Sequence, residues 1–499
     1  MALAGISHPS RRSRKPHIFG LSLLFLCSIL MSGCAQNASD RQFNIVFILA
    51  DDLGAMDVGA FNSETFYETA NLDNLAETGM RFTNAYAASP VCSPTRASIM
   101  TGKNPGRLQT TDWFGAPQPD TESEYWLTKP LLPARYLESL PHEELTVAEI
   151  LKEAGYQTFF AGKWHLGHEG SYPEDHGFDI NKGGFERGGP YGGDRYFSPY
   201  GNPRLDDGPN GEHLPERLGR ETAKFIKQAA ADGSPFLAYL SFYSVHTPLM
   251  TRPDLEQKYA VKSESVPETV WGTEGERKVR LVQNHAIYAG MVEAMDSAVG
   301  DVLQALDESG VADETLVIFM SDNGGLSTSE GHPTSNLPYR AGKGWLYEGG
   351  IREPMIIRWP GVTDAGSRSD EPVVSMDFYP TILEAAGLET LPQQHVDGLS
   401  LLPALKGESL GREALFFHYP HYGNQGGSPG SAVRMGDYKL IRFFEDGREE
   451  LYRLSDDASE GIDLAASSPD RVRDMSSLLT EWHKSVGAQL PTVNTRAMN

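Results

Sequence analysis

The stretch "SPVCSPTR", residues 89 to 96, crowds a cysteine, two prolines and an arginine together in a chain with only three cysteines. A thiol can do covalent chemistry there only if its sulfur is ionised or converted into another group. Two further pairs stand where apolar runs stop: Asp51-Asp52 closes "FNIVFILADD" and Asp322-Asn323 closes "TLVIFMSDN". Three carboxylates and an amide oxygen form a hard, all-oxygen set suited to Ca²⁺ or Mg²⁺, and no His/Cys cluster suggests zinc. Taken alone, either pair reads as a helix N-cap after a strand; taken together on neighbouring strands, they read as a cation site. Lys163 and His165 follow the run in "GYQTFFAGKWHLG", and His246 ends "PFLAYLSFYSVHTP". Lys343 lies in the Gly-rich "RAGKGWLYEGG", and Arg96 follows Cys92 by four positions. Two lysines, an arginine and two histidines at loop edges could bind an anion and move protons. As a loop-edge cation, Lys343 is expected to matter for turnover and little for stability.

Positioning such a set needs strands that end together. The runs above, with "EPMIIRWPG", are uninterrupted and rich in β-branched and aromatic residues, as strands buried on both faces are. Helical patterns alternate with them: "ETANLDNLAETG", "TVAEILKEAG", "GRETAKFIKQAAADG" and "YAGMVEAMDSAVGDVLQALDESG". The alternation predicts an α/β fold, a large mostly parallel or mixed sheet covered by helices on both faces, with ligands at the carboxyl ends of the strands. After about residue 410 short strands with Gly-Asp and Asp-Gly turns predict a small antiparallel sheet packed with one helix. The expected organisation is a signal at 1–33, a linker at 34–42, a catalytic domain at 43–408, an α+β subdomain at 409–490 and a tail at 491–499. Two long irregular stretches, 107–145 and 183–213, are candidate binding loops.

Arg11, Arg12, Arg14 and Lys15 precede the apolar run "IFGLSLLFLCSIL" and the small residues "MSG", the layout of an export signal. Met31-Ser32-Gly33-Cys34 resembles a lipobox, so Cys34 is a candidate for lipidation, which would tether the chain to a membrane by a lipid anchor only; a plain cleavable signal is the alternative. The expected location is the cell envelope. Cys27 leaves with the signal and a lipidated Cys34 is consumed as a thioether, so only Cys92 remains, without a disulfide partner, in an oxidising compartment. Net charge is −24, and residues 1–33 hold four of the 43 basic residues and none of the 67 acidic ones, leaving −28 beyond them. That balance excludes nucleic acid as a natural partner, and any anionic substrate must meet a local cluster of cations.

Cys92-Ser93-Pro94-Thr95-Arg96, followed by Thr101-Gly102, resembles the signature of type I sulfatases of the alkaline-phosphatase-like superfamily, in which the cysteine becomes Cα-formylglycine (3-oxoalanine). "GYQTFFAGKWHLG" is similar to the second signature, "ADDLG" and "SDNGG" to the metal-binding segments, and "GKGWLYEGGIREPMIIRWPG" to a further block. The resemblance spans about residues 43 to 460. It implies one Ca²⁺ held by Asp51, Asp52, Asp322, Asn323 and the modified Cys92, with Arg96 holding the modified residue. It further implies that Lys163 and Lys343 bind sulfate oxygens, and that His165 and His246 handle protons. The implied reaction is sulfate-ester hydrolysis through a geminal-diol nucleophile and a covalent sulfate intermediate, after conversion of Cys92 by a formylglycine-generating or anaerobic maturation enzyme. Two other readings stay open: a phosphoester or phosphonate hydrolase of the same superfamily, and a silent glycan-binding lipoprotein. Export and long loops suit a sulfated carbohydrate, algal or host. "FHYPHYGNQGG" resembles a block of bacterial carbohydrate sulfatases, so His418, His421 and Tyr422 are candidate sugar contacts, as are Arg187, Asp194 and Arg195.

Overall fold

The computed structural model describes residues 42–122, 124–190 and 195–497. Eight strands form the main sheet: β1 Asn44–Ala50, β2 Met80–Phe82, β3 Gln157–Gly162, β4 Ile180–Lys182, β5 Phe236–Ser241, β6 Thr315–Ser321, β7 Met355–Arg358 and β8 Ser367–Ser369. Their spatial order is β8-β2-β7-β6-β1-β5-β3-β4. Only β7 runs against its neighbours β6 and β2; every other adjacent pair is parallel. Sequential apolar residues point to opposite faces, and both faces are covered. Phe159 stacks on Phe225 of a helix on one side, whereas its neighbour Phe160 stacks on Tyr239 on the other. This double burial is why the strands read as unbroken apolar runs.

The long helices α4 Leu214–Asp232 and α6 Ala286–Glu308 pack together on one face, joined by α1 Ala70–Thr78 and α5 Pro253–Ser263. On the other lie α2 Cys92–Thr101, α3 Val147–Glu153 and α7 Phe378–Ala385, where Phe378 meets Phe47 edge-on at 5.0 Å. Local signals agree with these limits. Thr146 and Glu149 form a capping box at the start of α3, and Gly233 ends α4 with φ of +69°.

Beyond residue 410, β9 Leu415–Tyr419, β10 Gly430–Met435, β11 Tyr438–Phe443 and β12 Glu449–Arg453 form an antiparallel meander. Helix α8, Pro469–Val486, covers one face through Met475, Leu479 and Trp482. The other face buries Phe417, Tyr419 and Ile441 against Tyr86, Val91 and Trp345 of the larger part. That shared core packs the layer formed by 409–490, expected as an α+β subdomain, directly against the larger part. Within the expected tail, Thr492–Val493 pairs with Leu131–Leu132, and buried Asn494 donates to the carbonyls of Trp126 and Lys129. Among the described residues no helix is long and apolar enough to cross a membrane.

Candidate active site

Register decides which side chains meet. Ala50 lies opposite Ser321, Leu49 opposite Ser241, and Gly162 opposite Ser241. Strands β3, β5, β1 and β6 therefore end level, and the residues that follow them emerge side by side at the carboxyl edge. Gly162 is required there. Its φ is +101°, and a Cβ would stand 1.8 Å from the Ser241 carbonyl oxygen. The next residue, Lys163, donates its N–H to that same oxygen at 2.8 Å.

Cys92 is the first residue of α2, all ten of whose residues are buried. Its Sγ is 3.7 Å from Asp51 Oδ1. Asp51, Asp52, Cys92 and Asp322 each offer one atom within 4.8 Å of the others'. Asn323 donates from Nδ2 to Asp52 Oδ1 at 2.7 Å, while its own Oδ1 is buried with no partner. Three carboxylates and an orphaned amide oxygen fit a hard divalent cation.

Each carboxylate already has a cation beside it. Lys163 Nζ is 2.7 Å from Asp51, Lys343 Nζ is 2.8 Å from Asp52, and Arg96 Nη2 is 2.7 Å from Asp322. A divalent cation added to this balanced set leaves a surplus of positive charge for an anionic ester. Burial pushes Asp51 up to about 8, with Asp322 and Asp52 adding to it and Lys163 opposing. Burial also acts against ionised Asp52, but Lys343 and His246 outweigh it and hold the carboxyl at about 2. Lys343 is only 4% exposed. That corrects the expectation for a loop-edge lysine: its ammonium neutralises a fully buried carboxylate and so contributes to stability.

The two imidazoles present defined nitrogens. His165 donates from Nε2 to the Phe114 carbonyl at 3.0 Å, which leaves buried Nδ1 as the free base. His246 donates from Nδ1 to the Thr247 carbonyl at 2.6 Å, and its Nε2 stands 3.8 Å from Asp52. Burial pushes the Cys92 thiol up to about 12 despite Lys163 and Lys343. As a thiol it is protonated at neutral pH and a poor nucleophile.

A cavity of about 500 Å³ opens above Cys92, lined by His165, His246, Lys343 and Trp113, with Arg187 at its edge. Asp51, Asp52, Asp322, Asn323, Arg96 and Lys163 lie fully or almost fully buried around Cys92. The C-terminal candidates are not brought there. His418 is buried in the β-layer, sharing a hydrogen with Ser431 Oγ at 2.6 Å and donating to the Gln489 carbonyl at 2.9 Å. His421 bonds Thr111 at 2.8 Å and faces Asp112, and Tyr422 donates to Glu445 at 2.8 Å. All three are buried in packing, His418 within β9 and His421 and Tyr422 just beyond it against the 111–132 segment, and the same loop delivers Asn424 and Gln425 to the cavity instead. Arg195 is exposed, bonded to the Pro199 carbonyl at 3.4 Å, and does not line the cavity. Asp194 and Cys34 lie outside the described residues.

The sequence did not point to Phe114, Glu186, Glu330, Asn424 or Gln425, which also line the cavity. Phe114 acts partly through a main-chain carbonyl, which no side-chain pattern reveals. Ser241 was also missed: it sits inside an apolar run, and its Oγ accepts from Arg96 at 2.6 Å.

Comparison with known proteins agrees with this geometry. The Sulfatase family matches residues 43–388, and the family described as N-sulphoglucosamine sulphohydrolase, C-terminal, matches residues 341–483. A sulfatase of Formosa agariphila is 32% identical, over 93% of this chain and 92% of the relative. The N-acetylgalactosamine-6-sulfatase of Mus musculus is 32% identical, over 84% of this chain and 74% of its own. The crystal structure of Ps i-CgsB in complex with k-i-k-neocarrahexaose superposes with a TM-score of 0.72 at 30% identity, over 89% of this chain and 93% of that one. The chain belongs to the sulfatase family and is a sulfuric ester hydrolase.

Proposed function

We propose that this enzyme removes sulfate from a carbohydrate outside the cytoplasm, with Cα-formylglycine at position 92 and one Ca²⁺ held by Asp51, Asp52, Asp322 and Asn323. The observation that carries the reading is the convergence of Cys92, Lys343, His165 and His246 on one cavity above the carboxylate cluster. Hydrated formylglycine supplies a geminal diol as nucleophile, and the divalent cation supplies acidity and charge stabilisation at that position. The remaining work falls to side chains in place. Lys343 and Lys163 draw an anionic ester to the cation-rich floor and meet charge that builds on its oxygens. Arg96 orients position 92 through Asp322. His246 Nε2 and the Lys343 ammonium form the side that protonates the departing alcohol, and His165 Nδ1 is the base facing the nucleophile.

Carbohydrate is favoured by the polar rim and by the relatives, one of which is solved with a neocarrahexaose. The same proposal includes conversion of Cys92 by a formylglycine-generating or anaerobic maturation enzyme, export by residues 1–33, and a lipid anchor at Cys34. Asn323, where a phosphoester or phosphonate hydrolase would carry histidine, argues against that alternative.

The test has two parts. Mass spectrometry of the Cys92 peptide from active enzyme should show a loss of about 18 Da relative to the thiol form. The mature enzyme should then be screened against monosulfated sugars, sulfated oligosaccharides and 4-methylumbelliferyl sulfate, with Ca²⁺ and after chelation. An intact thiol in fully active enzyme would refute the formylglycine assignment, and full activity after complete chelation would refute the metal.

A further inference from the structure

Glu330 reaches the cavity from the segment between Asn323 and Lys343, outside every motif discussed above. Its backbone is unusual. Glu330, Gly331 and His332 have φ of +52°, +90° and +48° in succession. Two non-glycine residues in the left-handed region cost about 1 kcal/mol or more each, and such strain persists only where the surroundings enforce it. They do so here. The His332 N–H donates to the Ser329 carbonyl at 2.8 Å, its own carbonyl accepts from Arg280 at 3.2 Å, and its ring meets Trp271 edge-on at 5.4 Å.

The carboxylate is held as firmly as its backbone. Oε1 accepts from Gln425 Nε2 at 2.7 Å and from Asn424 Nδ2 at 3.2 Å; Oε2 accepts from Thr247 Oγ1 at 3.3 Å. Among the described residues no cation pairs with it, since Lys343 is engaged by Asp52. A carboxylate accepts roughly four hydrogen bonds, so Oε2, with one long bond, retains capacity toward the cavity. One oxygen of Glu330 also lies within 4.8 Å of a His246 ring nitrogen and an Asp52 oxygen. A fixed, negatively charged acceptor beside His246 suits a neutral donor on the substrate and repels a second anion. A sugar hydroxyl next to the ester is such a donor; an aryl sulfate has none.

We infer that Glu330 is a specificity-determining residue: it accepts a hydrogen bond from a free hydroxyl on the carbon adjacent to the sulfated carbon, and it excludes rings carrying a second sulfate or a carboxylate there. This rests on the carbohydrate reading above.

The test compares wild type, Glu330→Gln and Glu330→Ala, each with Ca²⁺. Two substrates are used: the monosulfated sugar that wild type hydrolyses fastest, and 4-methylumbelliferyl sulfate. The ratio of kcat/KM for the sugar to that for the aryl sulfate should fall about tenfold or more in Glu330→Ala, chiefly through KM. Glu330→Gln, of the same shape, should fall less and should gain on a ring sulfated at adjacent positions. An equal loss on both substrates would overturn the inference, as would wild-type turnover of the aryl sulfate but of no sugar. Failure of wild type on every sulfate ester would instead refute the hydrolase reading itself.

Discussion

Arg96 donates from Nε to one oxygen of Asp322 at 2.8 Å, and its Nη2 stands against the same oxygen as an ion pair at 2.7 Å. Its Nη1 donates to the Lys163 carbonyl at 2.8 Å and to Ser241 Oγ at 2.6 Å. One buried guanidinium therefore ties the helix that begins at Cys92 to the segments after β3 and β6 and to the end of β5. The planar fork makes these contacts at once, which a single ammonium cannot do.

Replacing Arg96 by lysine keeps the charge and loses the fork. Unfolding free energy should drop by about 3 kcal/mol, and kcat/KM should fall about a hundredfold as Cys92 and Asp322 drift out of register. Urea unfolding and steady-state kinetics on one preparation check both. Wild-type values in either measurement would show that the fork is dispensable.

Lys343→Ala should remove turnover, and it should also destabilise the metal-free protein, because Asp52 is left buried without its cation. Calcium should offset that loss. Its binding to three carboxylates meets less opposing charge in the variant, so the calcium-induced rise in Tm should exceed that of wild type. A smaller rise would contradict the acid cluster as the metal site.

Gly162→Ala places a methyl group against the Ser241 carbonyl at a φ that alanine avoids. The expected cost is on the order of 2–4 kcal/mol, with a fall in kcat as Lys163 is displaced. Gly155, also at positive φ but with open space beside it, is the control; Gly155→Ala should lose less stability and keep its kinetics.

Burial drives His418 down to about 3, with His483 adding to the shift. Below pH 6.5 the unfolded chain takes up a proton at this position that the folded protein refuses. The stability present above pH 6.5 is therefore lost as pH falls toward 3, by on the order of 1–2 kcal/mol between pH 7 and pH 5. His418→Asn should flatten the dependence of unfolding free energy on pH across that window. The slope is the readout, since truncation of the ring also leaves a cavity. An unchanged slope would mean that the ring is protonated in the native state.

The parts that could be read from the chain are those in which pattern and place coincide. Asp51-Asp52 and Asp322-Asn323 mark the ends of apolar runs, and parallel pairing of β1 with β6 brings them together without further information. Lys163 and His246 follow the same logic. The reading failed where a side chain's company depends on three-dimensional packing. His418, His421 and Tyr422 look polar and available in "FHYPHYGNQGG", yet packing buries all three, and the same loop lines the cavity with exposed Asn424 and buried Gln425 instead. Glu330 was invisible for the converse reason: its position follows from a left-handed turn fixed by distant residues such as Arg280 and Trp271. Pairing inside the expected tail was not legible, because a two-residue strand gives no periodic signal.

The helix that begins at Cys92 has no solvent-facing side. A second protein that must grip Cys92, Pro94 and Arg96 together finds no purchase once the sheet has closed over them. On the proposed conversion of Cys92, chemistry at this thiol by an external catalyst would therefore belong to the nascent or still extended chain, with a window that shuts when folding ends. On the same proposal a molecule that misses that window would fold but stay inert, so yield of protein and yield of enzyme would be separate quantities, set by a race between two rates.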